Sequence, residues 1–442
     1  MSYSNTKKRA LKVNQEVKFL GICLCIFISG CVSIPTAYEG LAPGVWRGVL
    51  KLADKETDVN PLEETKNYRG YTELPFNFTV TNTTDSLYIE FTNGVEKIKV
   101  DAITVGLDRS TAKDTVIIEF EEYDTYFEGI IDENIMEGYW HVNYKQGYSI
   151  PYIAYHGQSY RFTTANNATK DFDGTWEVTF DYDKPDQSYQ AVGTFEQNGS
   201  DITGTFQTET GDYRYLQGNV IKDKMKLSVF DGSHAFYFEA KQVSDGEMVG
   251  VFRSGRHYTS NWTAKKNANI KLASPFDLTT SDNQSIDWSQ LKFKDADGKL
   301  VTVVPSESDQ VTLLNIMGTW CPNCKDEMNY LKEVRIKYPD VQITTVSYER
   351  YKDESKNLAA IKRYRQAMDI QWPIYLGGYA SKAESSEDFP FLSKIISYPT
   401  LLVLDKENKI RSIHTGFNGP ATQEYPEFKK EMNHLIEQLI NE

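Results

Sequence analysis

Over residues 44–264 apolar and polar side chains alternate in short runs, the period-two pattern of strands with one buried face. The alternation is plain in residues 73–80, 86–91, 115–120, 191–195 and 224–230. Turn pairs such as Asn93-Gly94, Asn198-Gly199, Asp231-Gly232 and Asp245-Gly246 separate such runs, which predicts antiparallel hairpins. From about residue 272 the pattern changes. An apolar run at 311–317 predicts a buried strand, and the segment after it puts Cys324, Met328 and Leu331 on one helical face and stops before Pro339. A strand at 341–347, a helix at about 355–368, an extended segment from Trp372, a strand at 400–405 and a closing amphipathic helix at 426–440 follow. Strands alternating with helices predict an α/β domain around a central sheet.

The β region contains a divergent internal repeat. Gly44-Val45-Trp46-Arg47-Gly48-Val49 opens the first copy and Gly174-Thr175-Trp176-Glu177-Val178-Thr179 the second. Each later carries a related hairpin, beginning at Phe127-Glu128 or Phe238-Glu239, and each is expected to close on a short aromatic strand, Tyr160-Arg161-Phe162 or Asn261-Trp262-Thr263. The prediction is two antiparallel all-β modules, 44–164 and 172–265, barrels or sandwiches with a lipocalin-like pattern, followed by the α/β domain at 273–442. The tryptophans are expected to plug the β cores.

Composition sharpens the picture. A length of 442 residues fits two to four domains, and 13% aromatic residues exclude a disordered chain. The net charge of −14, more negative once the basic leader is set aside, argues against nucleic acid and anionic membrane surfaces as partners. The leader has Lys7, Lys8, Arg9, Lys12 and Lys18 ahead of an apolar run at 19–28, too short to span a bilayer comfortably. It reads as a cleaved export signal over residues 1–30, with an uncleaved signal anchor as the alternative.

Chemistry concentrates at Trp320-Cys321-Pro322-Asn323-Cys324. Two thiols three residues apart at a strand-to-helix junction can form a reversible disulfide, and Cys321 at the helix N-terminus is placed to be a thiolate. Tetrahedral zinc would need two further ligands, and the sequence has no second CxxC and no ligand spacing among its six histidines. Lys325 stands where haem attachment would need histidine. No nucleotide or flavin motif is present, so neither a metal nor a cofactor is expected.

Ile28-Ser29-Gly30-Cys31 resembles the lipobox of bacterial lipoproteins. That likeness implies a lipid on Cys31, removal of Cys23 and Cys25 with the leader, and a tether over 31–43. It places the chain in the bacterial cell envelope, anchored through Cys31 and facing the periplasm. Val32, which is not Asp, favours the outer membrane.

Residues 273–442 resemble the membrane-tethered thioredoxin-like proteins of the TlpA/ResA type. Four features carry the likeness: the Trp320–Cys324 motif, Ser397-Tyr398-Pro399-Thr400 before a strand, an extra helix and strand between about Asn357 and Tyr375, and the ending His414-Thr415-Gly416-Phe417-Asn418-Gly419-Pro420. The resemblance implies that Cys321 attacks a substrate disulfide, Cys324 resolves the mixed disulfide, and Pro399 is cis beside them. It also makes Glu349 a buried carboxylate near the dithiol that exchanges a proton with Cys324, against the plainer reading of a solvated strand-end acid. Asn323 supplies no positive charge, and Asp326 and Glu327 oppose a thiolate, so a reductase is expected rather than a strong oxidant. The implied partners are protein disulfides and a membrane electron donor. The alternative is a partner- or ligand-binding lipoprotein whose β modules carry the main function.

Overall fold

Nine antiparallel strands, from Gly44–Ala53 to Ser149–His156, form one strongly curled sheet in the computed structural model, which describes residues 40–53, 71–163, 167–281, 286–303 and 309–442. The leader, Cys31 and most of the tether lie outside those residues. Among the described residues no helix is long and apolar enough to cross a membrane.

The first strand pairs with both the second (Tyr71–Asn82) and the ninth, and the fourth (Glu96–Val100) and fifth (Ile103–Asp108) are the free edges. The sheet is therefore an open half-barrel. Its concave face collects Trp46, Phe76, Phe78, Phe91, Phe120, Phe127 and Trp140. The second module also has nine strands, from Gly174–Phe180 to Tyr258–Lys266, but eight of them close on themselves because Asp201–Thr208 pairs with Leu216–Ile221 as well as with Tyr189–Asn198. Rings fill that barrel: Phe238 stacks on Phe206 at 4.6 Å and on Phe252 at 4.5 Å.

The internal repeat is visible in atoms as well as letters. Trp46 Nε1 donates to the carbonyl of Ala42, and Trp176 Nε1 to the carbonyl of Phe172, both at 2.9 Å. All four tryptophans of the β region are buried in the two cores, as plugs. One expectation fails. Tyr160-Arg161-Phe162 is not a strand, and the half-barrel ends on Ser149–His156 instead. The reason is Arg161, whose buried guanidinium bonds Ser228 of the barrel and Thr92 and Asn93 of the half-barrel at 2.9 to 3.0 Å. The segment joins the two modules rather than extending one.

The barrel also completes the half-barrel's core. Phe230 of the strand Lys224–Phe230 enters it, with ring centroids 5.2 Å from Phe127 and Trp140 and 5.3 Å from Phe76. Residues 41–442 thus form one compact unit.

The C-terminal sheet has seven strands in the order Leu300–Thr302, Lys292–Lys294, Ile374–Tyr379, Gln342–Glu349, Thr312–Met317, Thr400–Leu404, Ile410–Thr415. The three around Gln342–Glu349 are parallel, and the last two join antiparallel. Thr312–Met317 is buried along its whole length, which explains its mostly apolar run, broken only by Thr312 and Asn315. Among the described residues four α-helices accompany the sheet: α1 (Pro322–Lys337), α2 (Glu354–Ala367), α3 (Lys382–Asp388) and α4 (Glu424–Asn441). α3 is the one that the sequence pattern does not announce.

Candidate active site

The strand Thr312–Met317 ends at Gly318, and the chain turns directly into α1 with Cys321 as its N-cap. The Cys321 sulfur accepts the N–H of Cys324 at 3.2 Å and donates to the carbonyl of Tyr398 at 3.7 Å. Pro322 fills the first helical position, where its missing N–H has no partner to lose. The Tyr398–Pro399 bond is cis. Both cysteines are free thiols, Cys324 fully buried and Cys321 only 8% exposed. The two sulfurs are therefore chemically unequal. Burial first, then its contact with Cys321, push the Cys324 thiol well up from the ordinary range.

Trp320 donates from Nε1 to the carbonyl of Tyr348 at 3.0 Å, and its ring meets Tyr398 edge-on at 6.1 Å. Glu349 is buried, not solvated at the strand end. Its carboxylate accepts from Thr319 N at 3.1 Å, Thr319 Oγ1 at 2.7 Å and Ser347 Oγ at 2.5 Å. Burial raises its pKa against those bonds, which favour the charged form.

A second acid stands closer to the sulfur chemistry. Glu327 is fully buried one turn after Cys324, bonded by Asn315 through Oε2 while Oε1 has no partner. Burial, then the charge of Cys321, hold its carboxyl well above the usual range, and Glu327 in turn raises Cys324. In the sequence Glu327 shows only as a charge opposing the thiolate. The signal that finds it is spacing: three residues beyond Cys324, it shares that residue's inward helical face.

The β modules meet the domain on this same face. Ser233 Oγ of the barrel donates to the carbonyl of Trp320 at 2.9 Å, and Phe417 N donates to the carbonyl of Thr210 at 3.3 Å. Asn323 Nδ2 donates to the carbonyl of Phe417 at 2.8 Å, tying the dithiol motif to that loop. Lys325 pairs with Glu122 of the half-barrel, and Asp124 takes both Tyr351 and Arg363. Arg214 is buried at the centre. It pairs with Asp326 of α1, with Glu96 of the half-barrel at 2.7 Å, and approaches Asp231 of the barrel at 3.6 Å. Burial would lower its pKa, but these carboxylates and Asp212 more than offset that.

Residues 271–430 match the family model described as Redoxin. This part of the chain is a Redoxin domain. The thioredoxin-like protein YneN of Bacillus subtilis is 27% identical over 105 residues, 24% of this chain and 55% of that protein. The thiol-disulfide oxidoreductase ResA of Bacillus thuringiensis is 26% identical over 118 residues, 26% of this chain and 60% of that one. The chain thus spans between half and two thirds of the length of these curated relatives. Among solved structures, StoA from Bacillus subtilis superposes with a TM-score of 0.23 at 22% identity, covering 32% of this chain and 94% of that one. A thiol:disulfide interchange protein from Chlorobium tepidum does so at 0.27 and 16%, covering 36% of this chain and 99% of that one.

Proposed function

We propose that the chain is an exported, membrane-anchored thiol–disulfide oxidoreductase that reduces protein disulfides through Cys321 and Cys324. The observation that carries this reading is the inequality of the two sulfurs, one capping a helix and one sealed beneath it. In the first step the Cys321 thiolate attacks a substrate disulfide. A Cys321–substrate disulfide forms, and the departing substrate sulfur takes a proton. Cys324 then gives up its proton, attacks the Cys321 sulfur and closes the Cys321–Cys324 disulfide, releasing the second substrate thiol. Two electrons pass to the substrate, and a membrane electron donor of the thiol class restores the dithiol. Pro399 lines the substrate side of Cys321, and Trp320 fixes the motif to Tyr348. Glu327 is the acid best placed to take the Cys324 proton; Glu349 steadies the Thr319 turn ahead of the motif.

The full-length reduced chain should reduce insulin, and Cys321→Ser should abolish this. Cys324→Ala should accumulate substrates covalently held on Cys321. No reduction by the native chain and no trapped species would end the reading. Anchoring is tested separately: palmitate should enter the chain in a bacterial host, and Cys31→Ser should prevent it and leave the leader uncleaved.

A second reading gives the main function to partner binding by the β modules. It is favoured by a cleft of about 980 Å³ on the outside of the barrel, between Thr194, Thr203, Gln207 and α4. A full-length Cys321→Ser chain that keeps all cellular function would favour it.

A further inference from the structure

Beside Trp320 the three parts of the molecule bring cations together. The turn after the strand Ile135–Val142 of the half-barrel supplies Tyr144, Lys145 and Tyr148. The dithiol domain supplies Arg350, directly after Gln342–Glu349. Arg350 lies on the Trp320 ring, 3.6 Å from its centroid, and faces Tyr144 at 5.8 Å. Lys145 Nζ sits over Tyr148 at 4.8 Å and near Tyr144 at 6.0 Å. The barrel adds His257, whose Nδ1 meets the Tyr148 hydroxyl at 3.3 Å.

Aromatic faces hold these cations. Among the described residues neither Lys145 nor Arg350 has an ion pair or hydrogen bond to a carboxylate, although the chain carries 62 acidic side chains against 48 basic ones. The acids in the neighbourhood are committed elsewhere. Glu349 feels the charge of Arg350 but takes its hydrogen bonds from Thr319 and Ser347, and Asp231 faces His234 and Arg214. Burial, then the charge of Arg350, bring the Lys145 pKa down to about 8. Burial, then Lys145 and Arg350, bring His257 down to about 4. Positive charge is thus concentrated here with no carboxylate in direct contact, a situation that an anion relieves.

We propose that Lys145 and Arg350 bind the carboxylate of an acidic residue lying close to the cystine of a protein substrate. Position argues for a substrate carboxylate. Arg350 rests on the ring of the residue that immediately precedes Cys321 and also faces Tyr144, while Ser233 bonds the main-chain carbonyl of Trp320, so an anion bound there lies within a few residues' reach of the reacting sulfur. The β modules then select substrates as well as covering the dithiol. This role presupposes the disulfide exchange proposed above.

The test uses the reduced full-length chain and two cystine peptides that differ only in Glu or Gln two residues from the cystine. At low ionic strength the Glu peptide should be reduced roughly tenfold faster in kcat/KM, with the preference falling as salt screens it. Lys145→Gln and Arg350→Gln should each bring the ratio of the two peptides close to one. Equal rates in the native chain, or a preference that survives in both variants, would overturn the site. A cystine-free Glu peptide, titrated while tryptophan fluorescence is followed, should bind more tightly than its Gln counterpart. Equal binding would overturn the site even if disulfide reduction is observed, whereas tighter Glu binding with no reduction of either peptide would sustain it and end the oxidoreductase reading instead.

Discussion

The two β modules open with the same tryptophan bonded to the carbonyl four residues earlier, and each has nine strands, yet one closes and the other does not. The difference lies in the fourth strand. In the half-barrel it is Glu96–Val100, five residues that occupy the free edge of Leu87–Asn93. In the barrel it has shrunk to Gly211–Asp212, which leaves most of Asp201–Thr208 free to pair with the fifth strand, Leu216–Ile221. The barrel is sealed by that pairing; the half-barrel takes Phe230 from its neighbour to complete its core. Both divergent strands face the dithiol domain. Glu96 begins one of them, Asp212 ends the other, and Arg214 and its acids gather between. Where a duplicated unit has diverged, a third domain has been attached.

That contrast breaks most completely at Arg214. Replacing it with Met would leave Asp326, Glu96 and Asp212 facing one another without the guanidinium, and Asp231 with His234 alone. Removal of one partner from a buried ionic cluster costs about 3–5 kcal/mol. Urea denaturation of Arg214→Met should show a loss of that size, with the dithiol face becoming more reactive towards iodoacetamide as the β modules loosen. A loss within the range of exposed pairs would mean that the modules are held by other contacts.

Phe230 tests whether the half-barrel depends on its neighbour. Phe230→Ala and Phe206→Ala both remove a fully buried ring, at about 3–4 kcal/mol each. Only the first should raise hydrogen exchange in Tyr71–Asn82 and Leu87–Asn93, because Phe230 packs on Phe76 and Phe91. Equal protection in the two variants would show that the half-barrel is stable by itself.

Much of this architecture was legible in the sequence because it is local. Alternation marked the hairpins, and the Gly-x-Trp openings marked the duplication. The strand before Cys321 was evident from its mostly apolar run. What stayed hidden depends on contacts distant along the chain. Arg161 looks like part of a closing strand until Ser228 and Asn93 are seen to bind it. Arg214, between two tyrosines in a polar stretch, gives no sign that Glu96 and Asp326 converge on it. The burial of Glu349 was foreseen through resemblance, whereas Glu327 needed helical spacing to be applied to an acid as it had been to Met328.

A smaller effect is expected at the loop that meets the shrunken strand. Gly416 has φ +78°, and a Cβ there would overlap the carbonyl of Thr210. Gly416→Ala therefore combines left-handed backbone strain with a displaced contact, at about 1–3 kcal/mol. It should also weaken the Phe417–Thr210 hydrogen bond, measurable as faster exchange of the Phe417 amide. An unchanged midpoint would mean that the two loops are not pressed together in solution.

The subtlest test is the charge state of Asp326, the acid that α1 presents to both modules. Burial raises its pKa to about 6 although Arg214 pulls it down. In the unfolded chain an aspartate titrates near ~3.9. The folded state therefore binds this proton more tightly than the unfolded state does. The resulting stabilisation is fully present below the unfolded value and is lost as pH rises through about 6. Asp212 is shifted the same way by burial, whereas Asp231 is held at about 2 because His234 and Arg214 outweigh its burial, so its own loss of stability falls at lower pH. Asp326→Asn keeps an oxygen for Arg214 and removes the charge. It should gain about 1–2 kcal/mol at pH 7 and flatten the rise in stability between about pH 6 and 4, read from urea midpoints across that range. A variant that is less stable at pH 7, with the native pH dependence intact, would show that Asp326 is ionised throughout. Arg214 would then hold the three domains as a fully charged cluster, and acidification below neutrality would loosen the contact between the divergent strands and α1 instead of tightening it.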